Sequence, residues 1–138
     1  MNWEPLIHAA RAARDGSYSP YSDFAVGAAL LAADGTIYSG CNLENRSYGL
    51  TLCAERSAFA AAICAGHREF AALVVVADSS PPATPCGLCR ETMAEFCGPD
   101  FPVLLCNLNG GRRELKLGEL FPHPFELPAS RNSRRQLS

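Results

Sequence analysis

The sequence predicts an α/β fold: a three-layer α-β-α domain built on one mixed sheet of about five strands. Three observations carry this. The chain has 138 residues, enough for one ordinary domain and short for two. Apolar segments rich in β-formers flank Asp34-Gly35, a strong short-range hairpin signal. Beyond residue 53, helical and strand patterns alternate as β-α-β crossovers require.

Each element follows in order. Trp3, Leu6, Ile7, Ala10 and Ala13 recur at helical spacing over 3–14, and Asp15-Gly16 stops them. Ser17 to Asp23 is a loop dense in Ser, Tyr and Pro. Phe24–Ala33 and Thr36–Asn42 are the two strands of the hairpin. Cys53–Ala65 is alanine-rich, long enough for a helix, and ends at Gly66. Leu73–Ala77 shows no alternation and reads as a buried strand. The run 79–85 holds three prolines and is a loop. Cys86–Cys97 is a helix closed by Gly98-Pro99. Val103–Asn107 and Arg112–Leu117 are short strands around Asn109-Gly110-Gly111, and Leu117–Leu120 is one helical turn. The order is α-β-β-α-β-α-β-β. Residues 1–128 form one domain, and 129–138 are expected to be a polar, disordered tail containing Arg131, Arg134 and Arg135.

Composition narrows the function classes. Hydrophobic residues are 48% and charged residues 19%, which excludes a largely disordered chain. The net charge of −2 lacks the clustered positive surface that polynucleotide binding needs. No window nears the ~18 apolar residues of a membrane span, and no secretory leader is visible. Seven cysteines, an odd number, fit free thiols or metal thiolates in a reducing compartment, so a cytoplasmic location is expected.

Two segments carry chemistry: Cys53-Ala54-Glu55-Arg56 and Pro85-Cys86-Gly87-Leu88-Cys89-Arg90. Both sit at expected helix starts, where partial positive charge and free N–H groups stabilise thiolates. Cys86 and Cys89 share one face of a first turn and can grip one metal, with Cys53 as a third thiolate. Three protein ligands leave tetrahedral zinc an open position, the mark of a catalytic site, and a water there becomes a usable hydroxide near neutrality. Glu55 lies about 200° around a regular helix from Cys53. Both can reach the metal only if it sits beyond the helix end. Zinc with three thiolates carries net negative charge, and Arg56 and Arg90 are placed by sequence to offset it. Cys41, Cys64, Cys97 and Cys106 read as small buried hydrophobes. A Cys-x-x-Cys pair is also a redox motif, but redox chemistry leaves Pro85 and the upstream Cys-x-Glu unexplained.

These segments resemble the zinc-dependent deaminase signature. From about residue 5 to 126 the chain resembles the cytidine/deoxycytidylate deaminase family, in its small homotetrameric cytidine deaminase type. Ser19-Pro20-Tyr21-Ser22 and Gly40-Cys41-Asn42-Leu43-Glu44-Asn45 belong to the likeness. The first ligand is Cys in the tetrameric branch and His in the larger dimeric one, so Cys53 points to the former. The resemblance implies one zinc per chain on Cys53, Cys86 and Cys89, with Glu55 as the proton shuttle. It implies that Asn42 and Glu44 bind the ribose, that Phe24 packs on the pyrimidine, and that Ala54 lies in the substrate site. Phe125 matches a C-terminal aromatic that reaches a neighbouring subunit's site. Family members commonly carry Gln where Glu91 stands; a Glu91 facing the zinc region would add negative charge, and an exposed one would matter little.

The function implied is hydrolytic deamination of cytidine and deoxycytidine to uridine and deoxyuridine, in pyrimidine salvage. Hydroxide on zinc would attack C4 while Glu55 moves protons to N3 and to the departing amine. The expected partners are a small nucleoside and further copies of the chain, with no nucleic acid and no membrane. A rival is deamination of a nucleoside analogue such as blasticidin S, but those enzymes typically lack the Asn-x-Glu pair found at Asn42-Leu43-Glu44. A third class is a non-catalytic zinc or redox module.

Overall fold

In the computed structural model, which describes residues 1–127, the chain opens with α1 (Glu4–Arg14). A hairpin of β1 (Val26–Ala32) and β2 (Ile37–Cys41) follows, then α2 (Ala54–Cys64) and β3 (Phe70–Ala77). The chain continues with α3 (Gly87–Phe96), β4 (Pro102–Cys106), β5 (Arg112–Lys116) and the single turn α4 (Leu117–Leu120). The expected tail over 129–138 lies outside the described residues.

The five strands form one sheet in the order β2-β1-β3-β4-β5. β1 runs antiparallel to β2 and β3, whereas β3 and β4 are parallel, joined through α3. The sheet is therefore mixed, as the alternation of elements requires. At the hairpin, Gly35 takes φ +95, a left-handed conformation that favours glycine.

Both sheet faces are covered, which explains why β3 is apolar without alternation. Ala72, Val74 and Val76 point to α1 and meet its buried stripe of Leu6, Ile7 and Ala10. Leu73 and Val75 point the other way, to Ala58, Phe59 and Ala62 of α2 and Met93 of α3. Each fully buried Leu, Val or Phe contributes roughly 1.5–3 kcal/mol. Two glycines let the layers approach. A Cβ on Gly27 of β1 would lie 2.0 Å from Ala10 O of α1, and one on Gly40 of β2 would lie 2.5 Å from Ala58 N of α2.

Three details differ from the sequence reading. β3 starts at Phe70, three residues earlier than expected, because the Phe70 ring packs edge-on against Phe59 and Phe96. A 3-10 turn at Tyr48–Leu50, unmarked by any local signal, precedes α2. Cys64 is exposed rather than buried, since it ends α2 on its outer side. Cys106 is buried, and Cys41 and Cys97 are half-buried.

Candidate active site

The N-termini of α2 and α3 meet beyond the carboxyl ends of the parallel strands, where open α/β sheets form their binding crevices. Cys53 and Cys86 are the N-cap residues of these helices, both extended (ψ 155 and 170), and neither side chain caps its own helix. Their sulfurs are left free to face each other across the two helix ends. Cys53 Sγ lies 3.5 Å from Cys86 Sγ, which lies 3.3 Å from Cys89 Sγ. All three sulfurs fall within 4.8 Å of one another. A tetrahedral zinc ion with Zn–S of ~2.3 Å spaces its sulfurs ~3.8 Å apart, so this soft three-thiol donor set fits zinc.

The electrostatics agree. The Cys53 thiol is lowered to about 5, first by its hydrogen bond with Cys89, then by Cys86 and the Arg56 guanidinium. Cys89, fully buried, is pushed up by the same bond and by desolvation. One shared thiolate held by two neighbouring thiols is the arrangement that a cation completes by displacing their protons.

Glu55 stands in the first turn of α2 and is only 5% exposed. Burial raises its pKa above the usual carboxylate value, and the neighbouring Cys53 charge adds to the rise. Despite the 200° separation on a regular helix, Cys53, the N-cap of α2, and Glu55 in its first turn line one cavity. Arg56 donates to Thr51 O at 2.8 Å, and its Nε is buried without a hydrogen-bond partner. Arg90 is placed differently from Arg56. Its Nε donates to Pro85 O at 2.9 Å and a terminal nitrogen donates to Leu120 O at 2.6 Å, so it ties α3 to α4 through carbonyl oxygens.

The cavity beside the sulfurs measures about 200 Å³. Phe24, Asn42, Glu44 and Ala54 line it, together with Cys53, Glu55 and Cys86. Glu44 is fixed by the Ser19–Asp23 loop: Tyr21 N and Ser22 N donate to Oε1 at 2.9 and 3.1 Å, and the Ser22 hydroxyl donates to Oε2. The Ser22 bond leads the causes that hold the Glu44 carboxyl below its usual pKa. Asn42, buried, accepts from Val26 N at 3.0 Å and donates to Phe24 O at 2.8 Å. Sequence reasoning quoted Ser22 within a motif without giving it a role, and missed Val26, Thr51, Val75, Ala83 and Thr84 on this wall. Thr51, Ala83 and Thr84 stand in loops just before motif residues, a signal that could have found them; Val26 and Val75 had none, being strand residues.

Phe125 is elsewhere. It is 75% exposed and borders a separate cavity of about 610 Å³ with Phe121 and Glu91. That cavity is larger, but none of the three clustered cysteines lines it, whereas Cys53 and Cys86 line the smaller one. Glu91 is exposed there, away from the sulfurs.

Comparison with known proteins gives a consistent result. The family described as "Cytidine and deoxycytidylate deaminase zinc-binding region" matches residues 2–105. A cytidine deaminase of Sporosarcina psychrophila is 53% identical over 125 residues, covering 91% of this chain and 92% of that protein. One from Mycobacterium tuberculosis is 40% identical over 139 residues, covering 98% of each. The crystal structure of cytidine deaminase from Burkholderia pseudomallei superposes with a TM-score of 0.87 at 49% identity, covering 91% of this chain and 100% of that one.

Proposed function

The chain belongs to the cytidine and deoxycytidylate deaminase family, and from that premise we propose that it hydrolyses cytidine and deoxycytidine to uridine and deoxyuridine, releasing ammonia. The observation that carries the reading is one small cavity lined by two chemically distinct groups. Cys53 and Cys86 of the three-sulfur cluster and a buried Glu55 form one, and Asn42 and Glu44 the other.

Cys53, Cys86 and Cys89 are the residues that would hold zinc. Bound there, zinc supplies a Lewis acid that lowers the pKa of water towards ~7. The remaining work falls to the chain. Glu55 takes a proton from the attacking water and delivers it to ring N3, then takes the proton of the new hydroxyl on C4 and gives it to the amine as the C4–N bond breaks and the C4 carbonyl forms. A carboxyl with a raised pKa suits this traffic, since it must both accept and release protons near neutrality. Arg56 offsets the negative charge gathered on the thiolates.

On the same cavity wall, Phe24 packs on the pyrimidine and Ala54 lies against it. Glu44, held ionised, accepts a hydrogen bond from a sugar hydroxyl, and Asn42 donates one. An ionised carboxylate at this position repels phosphate, which favours the nucleoside over nucleotides and strands. The same reading makes the protein a homotetramer of the cytoplasm serving pyrimidine salvage, with Phe125 reaching the site of a neighbouring subunit.

Ammonia release from cytidine by the purified, zinc-loaded protein is the test. Steady turnover with one uridine formed per ammonia is expected. No release from cytidine or deoxycytidine would overturn the reading.

A further inference from the structure

The side-chain amide of Asn42 can perform its sugar-binding role in only one of its two orientations, and the structure contains a device that selects it. The oxygen accepts from the Ser17 hydroxyl at 2.5 Å and from Val26 N–H at 3.0 Å. One amide hydrogen goes to Phe24 O at 2.8 Å. The remaining amide hydrogen has no partner among the described residues, and Asn42 lines the cavity. Reversed, the NH2 group would meet the Val26 N–H and the oxygen would meet the Phe24 carbonyl, so both backbone contacts would turn repulsive, while the Ser17 hydroxyl could turn to accept.

Ser17 has a single hydroxyl proton and two oxygen neighbours, Asn42 Oδ1 and Ser19 Oγ, the latter at 3.1 Å. The amide oxygen can only accept, so Ser17 gives its proton to Asn42 and accepts from Ser19. The three side chains form a directed chain, Ser19 to Ser17 to Asn42. Ser17 is half-buried and does not line the cavity, so any effect it has on the substrate passes through Asn42.

We propose that Ser17 is a positioning residue that steadies the Asn42 amide in the orientation set by Val26 N–H and Phe24 O, the one that recognises the sugar; this rests on the cytidine reading above. The other anchor of the oxygen, Val26 N–H, is backbone and survives substitution, so loss of Ser17 loosens the amide without freeing it. The effect belongs to nucleosides and should be absent for the bare base.

The experiment compares Ser17→Ala with wild type on cytidine and on free cytosine, alongside thermal melts. For cytidine, kcat/KM should fall about fivefold, the worth of one buried neutral hydrogen bond, with most of the change in KM. Cytosine turnover, slow in both proteins, should agree within twofold. Where it is too slow to follow, inhibition by uridine and by uracil replaces it, and only uridine should weaken. Unchanged cytidine kinetics, or equal losses with and without the sugar, would overturn the proposal. A wild type that leaves cytidine untouched would instead remove the reading beneath it, and the proposal with it.

Discussion

The proposed reaction concentrates its chemistry in a few atoms of Glu55 and the cysteines, and their individual environments set what each can do. Glu55→Gln preserves shape and removes the titrating proton. Positioned proton transfer is worth 10²–10⁴-fold, and in the proposed reaction Glu55 serves more than one transfer, so deamination should fall by at least ~10³ while zinc content and the melting temperature hold. Activity within tenfold of wild type would remove Glu55 from the reaction. The thiols give a pH-dependent test. Cys53 is lowered to about 5 by its thiol neighbours, whereas burial pushes Cys97 up to about 12. In the metal-free protein near pH 7, Cys53 is ionised because the pH lies above its folded value, and Cys97 is protonated because it lies below. Iodoacetamide should therefore label Cys53 first, keep labelling it down to about pH 5, and spare Cys97 throughout. Zinc loading should protect Cys53. Faster labelling of Cys97 would contradict this assignment. The motif residues were legible in sequence because their spacing is local: Cys86 and Cys89 are three positions apart, Cys53 and Glu55 two. Arg90 shows the limit. Its adjacency to Cys89 is visible in sequence, whereas the Leu120 carbonyl that it binds is supplied by a distant turn.

At the scale of elements, the two glycines separate stability from site geometry. Gly27 meets α1, which contributes nothing to the cavity, while Gly40 meets the first turns of α2 at Ala54 O, Ser57 and Ala58. Both substitutions overpack the layers, which typically costs 1–3 kcal/mol. Gly27→Ala should lower the melting temperature and leave zinc stoichiometry intact. Gly40→Ala should shift the start of α2, which carries Cys53 and Glu55, and so lower zinc affinity and turnover as well. Melts, zinc analysis and cytidine assays distinguish the two, and equal zinc affinity in both variants would refute the separation. The hairpin and the helices were legible because turn residues and apolar periodicity act within a few positions. The added residues of β3 were not. Phe70 joins the strand through rings on α2 and α3, a tertiary preference that no local window contains.

For the whole molecule, Phe125 is the informative residue. An aromatic ring 75% exposed and outside the lining of the sulfur-bearing cavity has a use if a second copy receives it. Sedimentation should show a particle about four times the chain mass, and Phe125→Ala should weaken cytidine turnover by ~10-fold or more. A fully active monomer would contradict this. What sequence conveyed least at this scale was the network joining the loop at Ser17 to Asn42 at the end of β2, because it depends on which loop folds over which strand.

Cys53 and Cys86 are 33 positions apart, and the segment between them contains all of α2 and β3. A zinc ion bound at both positions is therefore also a clasp on the native chain. An ion that binds only the folded form adds about 4.1 kcal/mol at a thousandfold excess over its dissociation constant. Total stabilities of small domains run from ~5 to 15 kcal/mol. Metal supply would then govern survival as well as rate: a cell short of zinc would lose this protein to its proteases, and restored zinc would revive only the molecules still intact.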